Sequence, residues 1–222
     1  MHYGLVIIFL IFFSPIWSQS NLHIAGHFTT KDGLSNNTIH SMIHDSRGFL
    51  WLGTREGLNR FDGFQFKKYF SEKNNPRSLP HDNIFDILEY RFGQLLIATS
   101  NGLSVLNTLT GQFENERIRF TSLQAGSGTA ITSMYKDNKS NIWINHDGEL
   151  DLLDSNLVYQ YRFTDLDWAK NLKGVSIKLE RWFTDRQGRL WLPSDSSGIH
   201  LIDLAAKKIY NSRNNPQQIP FL

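Results

Sequence analysis

Asp45-Ser46-Arg47-Gly48-Phe49-Leu50-Trp51-Leu52 is the stretch that decides the fold, because the chain contains it more than once. It returns as Asp137-Asn138-Lys139-Ser140-Asn141-Ile142-Trp143-Ile144 and as Asp185-Arg186-Gln187-Gly188-Arg189-Leu190-Trp191-Leu192. Each copy places Gly or Ser three residues after an Asp, Trp three residues further on, and an aliphatic next. A worn copy lies between the first two, with Tyr90 in place of the Asp, Gly93 at the turn, and Leu96-Ile97 in place of Trp-aliphatic. The Trp positions 51, 96, 143 and 191 are 45, 47 and 48 residues apart. A period of that length marks a tandem array of supersecondary units.

The likeness extends in both directions. Six residues before each Asp position stands Ile39, Ile84, Ile131 or Leu179; three before it stands Met42, Ile87, Met134 or Trp182. After the Trp comes a glycine, Gly57, Gly102, Gly148 or Gly198, with one-residue slips where a turn belongs. In the first copy, short apolar or alternating runs are separated by Ser46-Arg47-Gly48, Arg55-Glu56-Gly57 and Asp62-Gly63. Such runs read as strands, and Asp-Gly as a hairpin turn. Four short strands every 45–48 residues form a propeller blade. The fold class is therefore all-β: four consecutive four-stranded antiparallel blades of an incomplete β-propeller. The blades are expected at about 35–75, 80–121, 128–163 and 176–213, within a region spanning 21–222. A preceding strand near 23–29 and a helical piece over 165–172 complete the expectation.

Within a blade, the Trp is expected to fill the gap to the neighbouring blade. Asp45, Asp137 and Asp185 are expected to accept backbone N–H bonds in the hairpin. Gly48, Gly93 and Gly188 in the first turn, and the glycines of the second, permit positive φ. With Trp51, Trp143 and Trp191 these are the structural residues of the blades.

Leu5 to Phe13 is an unbroken apolar run, followed by Ser14-Pro15 and by the small residues Ser18 and Ser20. Residues 1–20 thus read as a signal peptide, too short to span a bilayer. With cleavage, the rest is expected to be periplasmic or secreted. Membrane attachment would come only through an uncleaved signal or a longer parent protein in the inner membrane.

Composition excludes several classes of function. The 23 basic and 21 acidic residues leave a net charge of +2 without a dense basic run, so no nucleic-acid footprint is present. The chain has no cysteine, hence no disulfide, thiol nucleophile or thiolate metal site. The acidic cluster Asp147, Glu149, Asp151 and Asp154 reads as solvated turn and strand positions of the third blade. Asp137 to Asn141 lacks the late Glu of a calcium loop. The four-residue spacing of His23, His27, His40 and His44 would align ligands only on a helix. Neither a catalytic motif, a metal site nor a cofactor is expected. The loops between second and third strands gather on the face where propellers bind ligands. They offer Arg55, Asn101, His146 and Asp195 as candidate contacts, polar in a way that suits an oligosaccharide.

These residues resemble the two-component regulator propeller repeat. The opening Phe28-Thr29-Thr30-Lys31-Asp32-Gly33-Leu34-Ser35 and the core Asp45 to Thr54 with Gly57-Leu58 and Phe61 carry the resemblance. It implies the periplasmic sensor region of a large hybrid histidine kinase, often one controlling polysaccharide use. Asn214-Asn215-Pro216 repeats Asn74-Asn75-Pro76, so 214–222 reads as the start of a further repeat in a truncated or split reading frame. No kinase module is visible, so no catalysis is expected of this chain. Its expected partners are an oligosaccharide and either missing C-terminal blades or another copy of itself. The rival reading is a free-standing secreted binding module; a propeller glycosidase or lyase stands behind both.

Overall fold

The computed structural model describes residues 27–115, 128–146, 149–172, 183–194, 198–216 and 218. The signal segment, Leu179, Trp182, Gly148, Asp195 and most of 214–222 lie outside them. The described residues form four four-stranded antiparallel sheets in simple meander order. Blade 1 comprises β1 (Ile39–His44), β2 (Leu50–Thr54), β3 (Gly57–Phe61) and β4 (Phe66–Tyr69). Blade 2 comprises β5 (Ile84–Arg91), β6 (Gln94–Thr99), β7 (Gly102–Asn107) and β8 (Gln112–Phe113). Blade 3 comprises β9 (Ile131–Lys136), β10 (Ile142–His146), β11 (Glu149–Leu153) and β12 (Tyr159–Arg162). Blade 4 comprises β13 (Phe183–Thr184), β14 (Leu190–Ser194), β15 (Gly198–Asp203) and β16 (Lys208–Tyr210).

The first hairpin of each blade is built around its Asp. In blade 1, Asp45 Oδ1 accepts Arg47 N at 3.0 Å and Phe49 N at 2.9 Å, while Oδ2 accepts the Trp51 indole Nε1 at 2.8 Å. Blade 4 repeats this: Asp185 takes Gln187 N at 2.9 Å, Arg189 N at 3.0 Å and Trp191 Nε1 at 3.1 Å. Blade 3 does so with Lys139 N and Asn141 N at 2.9 Å and a longer 3.4 Å reach to Trp143 Nε1. The carboxylate thus ties the turn and positions the indole at once. Blade 2 has lost both partners together: Tyr90 turns to Gln94 Oε1 at 2.7 Å, and Leu96 needs no acceptor. The turn itself survives through Gly93 at φ 70°, matching Gly48 at 84° and Gly188 at 75°. Ser140 holds the same left-handed conformation at φ 64°, a strain glycine avoids.

Three apolar cores lie between consecutive blades rather than within them. Trp51 and Leu58 pack against Leu79, which precedes blade 2, and against Ile84, Ile87, Leu95 and Ile97 of blade 2. Leu96 and Ala98 pack against Ile131, Met134, Ile142 and Ile144 of blade 3. Trp143 and Leu152 pack against Leu190, Leu192 and Ile202 of blade 4. In blades 1 to 3 the large residue on the second strand therefore seats on the blade that follows it. Gly53 lets blade 2 come close: a Cβ there would stand 2.7 Å from Ile84 Cγ2 and 3.2 Å from Ile87 Cδ1.

The first strands lie beside one another, β1 against β5 and β5 against β9. Asp86 links all three: Ser41 Oγ donates to Oδ1 at 2.9 Å and Met134 N to Oδ2 at 2.8 Å. Burial raises the Asp86 pKa, and its three hydrogen-bond donors offset this only in part. Outer links join the same blades: Ser46 N and Oγ donate to Glu89 at 2.8 and 2.7 Å, and Arg47 Nη1 to Thr108 O at 2.9 Å. Tyr135 and Thr184 join blades 3 and 4 through their hydroxyls.

One expectation needs correction. The described part of the expected first strand, 27–29, is not a strand; Thr29 instead caps the 3₁₀ turn Thr30–Asp32 through its side chain. Leu34 behind that turn is buried, as is its counterpart Leu79 before blade 2. The helical piece over 165–172 forms as 3₁₀ turns, Phe163–Asp165 and Asp167–Leu172.

Asp45→Ala removes three hydrogen bonds at a buried carboxylate and is expected to cost about 2–4 kcal/mol. In a double-mutant cycle with Trp51→Phe, urea unfolding is expected to show coupling of about 0.5–3 kcal/mol. Additive single effects would separate the Asp from the Trp.

Candidate functional site

The strands alternate in direction, so the turns between second and third strands share one end of the sheets with the connections leading to the next blade. In blades 1 and 2 the second turn is built by a threonine three residues after the Trp position. Thr54 Oγ1 accepts Glu56 N at 3.1 Å and donates to Gly57 O at 2.9 Å; Thr99 does the same with Asn101 N and Gly102 O at 3.0 and 2.7 Å. Gly57, Gly102 and Gly198 follow with φ of 105°, 89° and 77°.

Three of the four candidate contacts lie among the described residues, each in a different setting. Arg55 is exposed in the first of these turns, its backbone N–H donating to Thr38 O at 3.1 Å. Asn101 stitches blade connections together: Oδ1 accepts Gly128 N at 2.7 Å, and Nδ2 donates to Pro80 O at 3.4 Å. His146 is not a loop residue. It ends β10 and is buried, with Nε2 donating to Asp151 Oδ2 at 2.7 Å. Asp195 lies outside the described residues.

His146 exposes what the sequence reading missed. Asp151, expected to be solvated, is fully buried in β11 between His146 and Arg162, whose Nε donates to Oδ1 at 2.9 Å. Burial works against ionisation of Asp151, but the hydrogen bonds from His146 and Arg162 outweigh it and hold the carboxyl below its usual range. Asp147 lies outside the described residues, but two other members of the acidic cluster also have structural partners: Glu149 accepts Thr164 Oγ1 at 2.5 Å, and Asp154 Oδ1 accepts Asn156 N and Val158 N at 2.8 and 3.0 Å. Asp151 pairs with Ile144 as Asn59 pairs with Leu52, Ser104 with Ile97 and His200 with Leu192. This third-strand column is polar and buried in every blade. In blade 1 it anchors the preceding segment: Ser35 N donates to Asn59 Oδ1 at 2.9 Å and Asn59 Nδ2 to Ser35 Oγ at 2.7 Å. In blade 2, Ser104 donates to Asn115 Oδ1 at 2.6 Å. The signal was one buried polar residue recurring on the third strand among apolar neighbours.

His200, the last of that column, sits at the base of an open groove of about 620 Å³. Trp168 forms part of its wall, with Tyr210, Lys207, Lys208, Arg213 and Asn214. Burial lowers the His200 pKa, favouring the neutral ring. The groove combines aromatic surfaces with hydrogen-bond donors, the chemistry that grips a sugar ring by stacking and by its hydroxyls. Asn211 shapes its rim by accepting Arg213 N at 3.0 Å and Asn214 N at 2.9 Å. Among the described residues, no group of three or more His, Asp or Glu is disposed to hold a metal ion. No described helix is long and apolar enough to cross a membrane.

The fold and its inter-blade cores define a tandem-blade β-propeller. The family model of the two-component regulator propeller matches residues 33–56, which hold the first Asp-x-x-Gly-x-x-Trp unit. Over 71 residues the chain is 41% identical to "Histidine kinase P4" of Formosa agariphila, covering 32% of this chain and 5% of that protein. Among solved structures, the extracellular domain of BT4673 from B. thetaiotaomicron superposes with a TM-score of 0.59 at 21% identity, covering 80% of this chain and 24% of that one. A second structure of that domain, titled as part of a hybrid two component system, gives 0.58 at 21% identity over the same shares. These two likenesses show the fold. The chain spans a small part of each relative's length.

Because Asp151 is held below its usual pKa, its contribution to stability is present above the unfolded carboxylate value of about 3.9. It is lost as pH falls through the lower folded value. The difference in unfolding free energy between wild type and Asp151→Asn is expected to be largest near pH 6–7 and to shrink below about pH 4. A difference that stays constant through that acid range would contradict the assignment.

Proposed function

We propose that the chain is the N-terminal part of an extracytoplasmic ligand-sensing propeller that serves a two-component histidine kinase. Its ligand is an oligosaccharide, and it performs no catalysis of its own. The match of the first repeat to the regulator propeller family and the 41% identity to a histidine kinase support the signalling context. The apolar run Leu5 to Phe13 supports export.

The observation that carries the ligand class is the groove beneath Trp168. It runs along β16 and sets Trp168 and Tyr210 beside Lys208, Arg213 and Asn214. Stacking supplies affinity for the flat apolar face of a sugar, and the donors select hydroxyl geometry. The ion-paired group of Asp151, His146 and Arg162 supports a structural rather than catalytic role, since Asp151 is sealed from solvent and satisfied by its neighbours.

Isothermal titration of the purified chain with a panel of neutral and acidic oligosaccharides is expected to give saturable heat with one class. Trp168→Ala is expected to weaken that binding at least about tenfold, or about 1.4 kcal/mol. Absence of binding across the panel, or turnover of any member, would overturn the reading.

A further inference from the structure

The outer seams between consecutive blades are bridged twice and left open once. Between blades 1 and 2, Ser46 Oγ donates to Glu89 Oε1 at 2.7 Å and Arg47 Nη1 to Thr108 O at 2.9 Å. Between blades 2 and 3, Arg91 Nη2 donates to Asn156 Oδ1 at 2.6 Å. Between blades 3 and 4 the counterparts of Ser46, Arg47 and Glu89 are Asn138, Lys139 and Thr184. Thr184 turns to Tyr135, and the side chains of Asn138 and Lys139 have no hydrogen-bond or ion-pair partner among the described residues. A smaller residue widens the gap. Leu106 pairs with Leu95 as Ile202 pairs with Leu190, which places Ala205 where blade 2 has Leu109. Leu109 lies over its turn, its Cγ 3.0 Å from the place of a Cβ on Gly93; Ala205 lacks the atoms to cover Gly188 in that way. A pocket of about 250 Å³ remains between blades 3 and 4.

Part of its wall is apolar, with Leu152 buried and Tyr161 and Leu204 half-buried. The exposed side chains of Asn138, Lys139 and Gln187 line it as well. Lys139 belongs to blade 3, and the half-buried Asp203, also on the pocket, to blade 4; the two form no ion pair with each other. Their opposite charges offset one another across the seam, so the pocket favours neither an anion nor a cation. We propose that this pocket binds one neutral sugar ring, at a site distinct from the groove beside Trp168. A pyranose offers an apolar face to Tyr161 and Leu204, and hydroxyls at its edge to the amides of Asn138 and Gln187. Burial and the charge of Asp137 raise the Tyr161 pKa, so its hydroxyl stays protonated and able to donate. The volume lies below the roughly 300–1,000 Å³ of a drug-sized site, which limits the ligand to about one ring. Both walls belong to consecutive blades, so the pocket needs neither end of the array nor the sensor reading.

Nitrogen-15 correlation spectra of the purified chain, titrated with D-glucose, D-galactose or D-mannose, test it. With at least one of them the side-chain amide signals of Asn138 and Gln187 are expected to shift and saturate, with a Kd on the order of 1 mM. Ala205→Leu, at an exposed position, would lay a leucine on Gly188 as Leu109 lies on Gly93. It is expected to weaken binding at least about tenfold. Gln187→Ala, also at an exposed position, removes one neutral hydrogen bond and is expected to weaken binding about three- to tenfold. That variant decides the matter should the leucine variant fail to fold, as circular dichroism and melting would check. No saturable shift with any of the three sugars would overturn the proposal. So would shifts confined to groove residues such as Asn211 and Asn214, or wild-type affinity in either folded variant.

Discussion

The structure depends on one side-chain pair: the carboxylate of a turn aspartate holding an indole N–H. A tryptophan ring offers a large apolar area but carries a polar edge that cannot be buried unpaired without cost. Asp45 removes that cost for Trp51 while also accepting two amides of its own hairpin. The turn, the rotamer of the tryptophan and the fit of the next blade are thereby fixed together. Blade 2 bears this out from the opposite side. Without the indole the aspartate has no task at that edge, and Tyr90 and Leu96 occupy the two positions instead.

From this pair follows the directionality of the array. Each blade lends its second strand to the blade after it, so stability resides at interfaces and the blades are not independent units. Glycine at position 53 permits the close approach of blade 2, and Asp86 bridges three adjacent first strands. The polar third-strand column works differently. Asn59 and Ser104 tie connecting segments to the sheet; blade 3 answers the same position with a buried ion pair, and blade 4 with a histidine at the foot of a groove. Structural uniformity thus lies in the Asp–Trp hairpins and first strands, and chemical variety lies in the third-strand column.

Much of the fold was legible because propeller repeats are written in widely spaced but rigid columns. Asp45, Gly48 and Trp51 recur at a fixed offset, and that offset survives in Tyr90, Gly93 and Leu96 even where two residue types have changed. The site was less legible. His146 aligns with Thr54 and Thr99, and a turn position suggests exposure; only the pairing of β10 with β11 brings it to Asp151. Arg162 lies eleven residues further on, and nothing in its local sequence marks it as the partner. The acceptor role of Asp45 toward Trp51 was missed for a similar reason: the six-residue separation shows contact only once the hairpin is folded.

The central claim is that each blade is stabilised by seating its second-strand wedge on the blade that follows. Native-state hydrogen exchange, resolved by strand, tests it most directly. The account expects the slowest exchange at amides of β2, β6 and β10 and of the strands they seat against, β5 and β9. Exchange should be distinctly faster in β14, whose Trp191 is only half-buried. Equal protection in β14 and β2, or slowest exchange in blade 4, would contradict it and place the stability within each sheet instead.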